Sequence, residues 1–350
     1  MDGGRPCRHR ALQHRGRGRP PARGRRGTRV KILVLGGTVF VGRALVEAAL
    51  TAGNELTLFH RGLTNPGLFP DAEHVLGDRD GGLGLLEGRS WDVCIDVSGY
   101  LPRLVGDSAA ALCDTVERYV YVSSISVYAD LSVPRDEDGP IATIEDETAE
   151  EITGESCGAL KALGERAVTG AYGERAAIVR PGYVIGPHDD TGRFPWWAHR
   201  AARGGEMIVP ASLAREFQAI DTRDLADFLL IRARSPLTGI FNATGPVPPV
   251  TMLDLVEAAA SASDTDLNVE VIDDAFLTGK VTDEELPLWD DDPSWTAWAR
   301  VDVSKAIGAG LKFRPIDDTV AATLAHTTPV PGIGLGPARE AELLAAWHAR

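Results

Sequence analysis

Val30-Lys-Ile-Leu-Val-Leu-Gly-Gly-Thr-Val-Phe-Val-Gly42 is the stretch on which the fold turns. Its apolar run, closed by glycines, suits a strand buried on both faces of a parallel sheet. From Phe40 to Leu50 the chain becomes rich in Ala and Leu at helical spacing, and Gly53 supplies a stop. Glu55–Phe59 then reads as a second strand, which completes a β-α-β unit within about thirty residues. The glycine loop Gly36, Gly37, Thr38, Val39, Phe40, Val41, Gly42 thus lies where a strand hands over to a helix. There Gly36 permits a tight turn and Gly42 lets the helix approach the sheet. The first amides of the helix point at a pyrophosphate, whose charge the helix dipole favours. The usual G-x-x-G-x-x-G spacing would put glycine at position 39. Val39 stands there instead, and its Cβ crowds the phosphate approach.

Working outward, further strands are expected at Glu73–Leu76, Trp91–Val97, Arg118–Val122 and Ala176–Arg180, with helices over Pro102–Glu117 and Cys157–Tyr172. This alternation predicts an α/β fold of the Rossmann type, a doubly wound parallel sheet carrying a smaller C-terminal substrate lobe. Beyond Pro181 the chain is richer in Pro, Gly and Trp, with helices near Asp221–Ala233 and Met252–Ala262 and an acidic, Trp-bearing loop at Leu286–Trp298. The expected division is a tail over 1–29, a dinucleotide-binding domain over 30–185, and a substrate lobe over 186–350 partly interleaved with the sheet.

At 350 residues and 44% apolar side chains, the chain can bury a large core. Residues 1–29 hold ten of the 36 basic residues and one of the 50 acidic ones, so the body is strongly acidic. An acidic body repels phosphate backbones, which argues against general nucleic-acid binding. The Arg/Gly/Pro-rich tail has too little apolar content to repay the entropy of ordering, and it reads as a disordered processing or start-site extension. No run reaches the roughly 18 apolar residues that span a bilayer, and no apolar segment of a secretory signal follows the arginines. Cys7, Cys94, Cys113 and Cys157 lie far apart without a C-x-x-C pair, so neither a zinc site nor a disulfide framework is signalled. A reduced, cytoplasmic setting is the simplest expectation, with no membrane partner and no metal.

At the end of the second strand, where a carboxylate normally takes the ribose 2′-hydroxyl, the sequence reads Phe59-His60-Arg61. Without a carboxylate and with a guanidinium nearby, a 2′-phosphate is better accommodated, so NADP is favoured over NAD. Arg61 as the start of a solvated loop is the plainer alternative. Asp78 is placed to accept a hydrogen bond from the adenine amino group, or simply to form a turn.

Tyr119-Val-Tyr-Val-Ser-Ser-Ile-Ser-Val-Tyr128 resembles the fifth strand of the extended short-chain dehydrogenase/reductases, the NAD-dependent epimerase/dehydratase family. Arg180-Pro181-Gly182, Gly186-Pro187 and Arg223-Asp224-Leu225 extend the resemblance across roughly residues 30 to 325. The glycine loop with Phe40 is also similar to the atypical branch that holds the chloroplast stem-loop RNA-binding proteins. The resemblance implies a Ser, a Tyr and a Lys acting together, the last two as Y-x-x-x-K on one helix face, where the ammonium binds the ribose and lowers the phenol's pKa. Ser124 matches the serine and Lys161 the lysine, but the tyrosine position is Cys157.

Three readings stay open: Cys157 or a water replaces the phenol; another tyrosine substitutes, with Tyr100, Tyr128 and Tyr183 as candidates; or redox chemistry has been lost. The resemblance also implies that Pro181 and Gly182 line the cofactor. On the substrate side, His188, Arg193 and Trp197, with Trp196, form a polar and aromatic cluster suited to an anionic or ring-bearing ligand, with core packing as the alternative for the tryptophans. Arg215 is a candidate phosphate contact. The expected function is NADP(H)-linked reduction or epimerisation of a small carbonyl or sugar-like metabolite, and the resemblance implies pairing as a homodimer. The competing class is a nucleotide-binding regulatory or RNA-associated protein using the same pocket without turnover.

Overall fold

The computed structural model describes residues 29–289 and 301–350. The tail before Arg29 and residues 290–298 of the acidic loop lie outside the described residues. Seven parallel strands form the central sheet: β1 (Lys31–Leu35), β2 (Glu55–His60), β3 (Glu73–Leu76), β4 (Trp91–Asp96), β5 (Val116–Val122), β6 (Ala176–Pro181) and a last strand at Gly239–Ala243. Their spatial order places β1 between β2 and β4, with β3 at one edge and the Gly239–Ala243 strand beside β6 at the other. Strand order reverses at β1, and crevices at such a reversal are where open α/β sheets bind ligands.

Alternation along each strand fills two cores. Ile32 and Val34 of β1 face one side, with Val93, Ile95 and Val120. That side is covered by α1 (Phe40–Thr51), through Ala44, Leu45 and Ala49, and by a helix over Thr222–Arg234, through Leu225, Phe228 and Leu229. Leu33 and Leu35 face the other side with Cys94, Tyr119 and Tyr121, under Val105 and Leu112 of α2 (Pro102–Leu112) and Val168 and Tyr172 of α3 (Gly154–Tyr172). A period of two on strands buried on both faces produces this division.

The expected helix Pro102–Glu117 is shorter than its sequence pattern. α2 ends at Leu112, the Thr115 amide turns back to the Leu112 carbonyl (3.0 Å), and β5 begins at Val116, paired with Trp91. No Gly or Pro marks this stop, so the apolar spacing ran on into the strand. α3 starts three residues earlier than expected because Thr153 and Ser156 form a reciprocal capping box.

After β6 the chain builds the second lobe: β7 (Tyr183–Ile185), α4 (Arg193–Ala201), β8 (Gly205–Pro210), β9 (Glu216–Phe217), β10 (Ala219–Asp221), then α5, the helix Thr222–Arg234, and β11, the strand Gly239–Ala243. α5 and β11 return to the large sheet, so the chain crosses between the lobes more than once. β12 (Val250–Thr251), α6 (Met252–Ala262), β13 (Leu267–Ile272) and α7 (Asp274–Leu277) follow, then α8 (Ser304–Gly308), α9 (Ile316–His326) and α10 (Pro337–His348). Phe194, Trp196, Trp197, Met207, Leu255 and Val320 lie at the centre of this lobe. Among the described residues, no helix is long and apolar enough to cross a membrane.

A buried ion pair ties α3 to the sheet. The Arg180 guanidinium donates from Nε and Nη2 to the two Glu165 carboxylate oxygens at 2.8 and 2.6 Å, and Ser123 Oγ donates to Glu165 at 2.5 Å. Removing one partner of such a pair strands the other charge out of water. Glu165→Ala is therefore expected to lower unfolding stability by about 3–5 kcal/mol, measured by urea titration followed by circular dichroism.

Candidate active site

The loop after β1 needs glycine in two places. Gly36 and Gly37 have φ of 104° and 111°, a region L side chains rarely adopt. At Gly42 a Cβ would lie 2.9 Å from the Gly37 backbone, so α1 approaches the turn too closely for any side chain. The Gly36 amide donates to the Phe59 carbonyl at 2.9 Å and is spent on the sheet. Val39, the residue before α1, has φ −134° and ψ 139° and makes no side-chain cap, and the first turn carries no acidic residue. Those first amides are accordingly uncapped by side chains and ready for an anion. The glycine lost at position 39 costs no backbone strain, because valine adopts that extended conformation freely. The left-handed residue is instead Phe40, with φ 34°.

These amides open into a cavity of about 630 Å³ outside the ends of β1, β2 and β4. All seven residues from Gly36 to Gly42 line it, together with His60, Arg61, Asp78, Arg79, Tyr100 and Asp190. His60 is committed on both ring nitrogens. The Gly62 amide donates to Nδ1 (3.1 Å), so Nε2 carries the proton toward His74 Nδ1 (2.9 Å), and His74 Nε2 in turn reaches the Phe69 carbonyl (3.1 Å). Burial, then His74, hold the His60 imidazole below its ordinary pKa. Arg61 is exposed at the cavity wall, with no hydrogen bond or ion pair to the described residues. Asp78 lines the wall and also accepts the Asp80 amide (3.0 Å), so both of its expected roles are geometrically open.

No local pattern marked the cavity's buried cation. Arg79 donates to both oxygens of Asp96 (3.2 and 2.8 Å) and to Ser108 Oγ (2.9 Å). Tyr119 donates to the same carboxylate at 2.9 Å. Burial alone pushes the Asp96 carboxyl up, but the charge and hydrogen bonds of Arg79, with those of Tyr119 and Ser98, outweigh it and leave the group below its ordinary value. The Gly77-Asp-Arg-Asp80 segment held the arginine in view; its partner, 17 residues on, was not marked by any local pattern.

Lys161 and Cys157 share one side of α3, four residues apart. The ammonium is 5% exposed and donates to the Gly99 carbonyl (2.7 Å) and the Val122 carbonyl (3.0 Å). Burial brings its pKa down to about 8, against the opposing pull of Asp96 and Cys157. The ring of Tyr100 lies over it, 4.3 Å from Nζ to centroid. Cys157 is a free, half-buried thiol. Ser124, half-buried, caps a short turn at Ile125–Val127, accepting the Ser126 amide and donating to Ser126 Oγ, both at 3.0 Å. Pro181 ends β6 and is buried; at Gly182 a Cβ would strike Thr244 Oγ1 at 2.3 Å. None of Ser124, Cys157, Lys161, Pro181 and Gly182 is among the lining residues of the cavity, whose boundary on the Lys161 side includes Tyr100.

Of the other tyrosines considered, Tyr128 is engaged: its hydroxyl donates to Asn242 Oδ1 (2.7 Å) and accepts from Arg180 (3.1 Å). Tyr183 lies in β7 against the second core. The expected substrate cluster is only partly assembled. Trp197 is fully buried with Nε1 donated to the Pro287 carbonyl (2.6 Å), so it packs the lobe, as does Trp196. His188 has φ 61° and stacks edge-on against His326, 5.0 Å between centroids. Arg193 is exposed at the start of α4, near enough to Tyr100 to act on its charge. Arg215 is exposed just before β9, with no partner among the described residues.

Residues 106–243 match the family model of the NAD dependent epimerase/dehydratase family. The chain is 30% identical over 251 residues to the chloroplast stem-loop binding protein of 41 kDa b of Arabidopsis thaliana, covering 66% of this chain and 63% of that protein. The chain thus spans less than two thirds of the length of that relative. Among solved structures, the Bordetella bronchiseptica enzyme WbmH in complex with NAD+ superposes with a TM-score of 0.64 at 17% identity, over 85% of this chain and 98% of that one. UDP-glucuronic acid 4-epimerase from Bacillus cereus, in complex with NAD, gives 0.61 at 15% identity, with 85% and 98% covered. UDP-N-acetylglucosamine 4-epimerase from Bacillus cereus gives 0.61 at 17%, with 87% and 99% covered. At such identities these structures speak for the fold. The matched segment runs from α2 to β11 and includes Ser124 and Lys161, so over these residues the chain is similar to the NAD dependent epimerase/dehydratase family.

Proposed function

We propose that this protein is a cytoplasmic nicotinamide-dinucleotide-dependent enzyme, a reductase or epimerase of a small carbonyl or sugar-like metabolite, with NADP preferred over NAD. The observation that carries this is the set of uncapped α1 amides opening into a cavity of about 630 Å³, within the range of small-molecule and cofactor sites. The residues present fit the group: glycines where a Cβ would block the turn, a helix dipole without a competing carboxylate, and the Arg61 guanidinium at the wall. Neighbours in fold were solved with NAD, which supports a dinucleotide. Residues 30–185 would hold it and 186–350 the substrate, with α5 and β11 returning to the sheet.

When bound, the nicotinamide supplies the hydride chemistry. The chain's own residues supply the rest. Ser124 orients the substrate oxygen, and Lys161, held by two carbonyls, keeps a positive charge beneath the reacting end. Cys157 stands on α3 where the resemblance puts the phenol, and it or a water beside it is one candidate proton relay. Pro181 and Gly182 would close over the nicotinamide, and His188, Arg193 and Arg215 are the polar groups of the lobe from which a substrate would draw contacts. A homodimer is the proposed assembly. A nucleotide binder without turnover is the second reading. Cys157 in the tyrosine position, and a relative named for stem-loop binding, favour it.

NADPH titrated into the protein is expected to give a saturable rise in nicotinamide fluorescence. A flat response at high micromolar concentration removes every enzymatic reading of the site. Arg61→Ala is expected to weaken NADPH about tenfold while changing NADH by less than about twofold, since only the former carries the 2′-phosphate. Equal losses for both, read by the same titration, would assign Arg61 to another role.

A further inference from the structure

Four residues before Lys161 the helix carries a thiol, yet a phenol does meet that lysine, from the opposite wall. Tyr100 follows β4, lines the cavity and is 50% exposed, with its ring over Lys161 Nζ at 4.3 Å. Its backbone has little freedom. The carbonyl of the preceding Gly99 accepts from Lys161 Nζ (2.7 Å) and from the Tyr121 hydroxyl (2.9 Å). A Cβ at Gly99 would lie 2.7 Å from Val105 and 2.8 Å from Asp96 Oδ2 and the Tyr121 ring, so the loop is packed from below as well as tethered.

The other tyrosines are spent elsewhere. Tyr119 is bonded to Asp96, Tyr121 to Gly99 and Tyr128 to Asn242, Tyr172 at the end of α3 is buried in the core, and Tyr183 sits in β7. Among the described residues, Tyr100 is the one tyrosine that lines the cavity.

We propose that Tyr100 is the proton-transferring phenol of this site, delivered from the β4 loop across Lys161 rather than from α3, with the small Cys157 side chain leaving room for its ring. The inference rests on the dinucleotide-binding reading above. In the direction of reduction, the substrate carbonyl carbon takes the hydride supplied by the bound reduced dinucleotide, the C=O π pair moves onto oxygen, and that oxygen bonds the Tyr100 proton. The phenolate left behind keeps its ring beneath the Lys161 ammonium, 4.3 Å from Nζ to centroid, and regains a proton from solvent. Oxidation of an alcohol runs the same transfers backwards. Burial, then the neighbouring Cys157 and Asp190, hold the Tyr100 phenol above its ordinary pKa, against the opposing charge of Arg193. It therefore carries its proton at neutral pH, as a donor must.

The test follows phenolate absorbance during alkaline titration of the protein and of Tyr100→Phe, whose difference isolates one phenol. Saturating NADP+, whose nicotinamide ring is cationic, is expected to lower the Tyr100 midpoint by about one unit or more. Lys161→Met without the dinucleotide is expected to raise it. A midpoint unmoved by NADP+, in samples where displacement of NADPH fluorescence proves that NADP+ is bound, places the phenol away from the reacting end and overturns the proposal. Absence of any NADP+ binding instead overturns the dinucleotide reading and takes this proposal with it.

Discussion

Where β1 and β4 part company, the chain must leave the sheet, turn within two residues and start a helix against its own turn. That constraint governs the rest. Only glycine meets it at Gly36 and Gly37, whose φ values exceed 100°, and only glycine lets α1 pass within 2.9 Å of the turn at Gly42. Once it is met, the amides of the first helical turn are exposed at the one edge of the sheet where a crevice opens, with no side chain to satisfy them. The anion-ready cavity is a consequence of how a doubly wound sheet reverses its strand order.

Beneath that crevice the interior holds several buried charges, each with a charged or carbonyl partner. Arg79 is locked to Asp96, Arg180 to Glu165, and Lys161 to two carbonyls and a tyrosine ring. Groups so far from water stay put because each charge is met by an opposite charge or by carbonyl oxygens, which stiffens the floor of the site. Asp96 also accepts the Ser98 amide at 3.1 Å, so the network reaches directly into the loop that carries Tyr100. The same rigidity explains why a loop residue, ordinarily a poor place for a precise group, can hold a ring over Lys161.

The helix face carries a thiol four residues before Lys161, and the cavity wall carries a phenol, Tyr100. In the relatives' pattern the Tyr and Lys lie one turn apart on a single helix, so their meeting is written into local spacing. Here the phenol and the ammonium come from positions 61 residues apart, Tyr100 and Lys161. The arrangement replaces a helical register with a tertiary contact.

What the sequence determined by itself is what depends on near neighbours: the strand–loop–helix start with its glycines, the strands at Glu55 and Glu73 and the helix Met252–Ala262, because periodicity and backbone permission act within a few residues. It left α2 five residues too long, since no stop residue marks Leu112, and it left the choice between ligand contact and core packing open at Trp197, which packs the lobe. The tertiary structure alone decided the partners of Arg79 and Lys161, the exclusion of Tyr128, and the position of Tyr100. Those outcomes are set by the burial of charge and by packing between distant segments, and no pattern local to the chain encodes which distant group will answer a buried one.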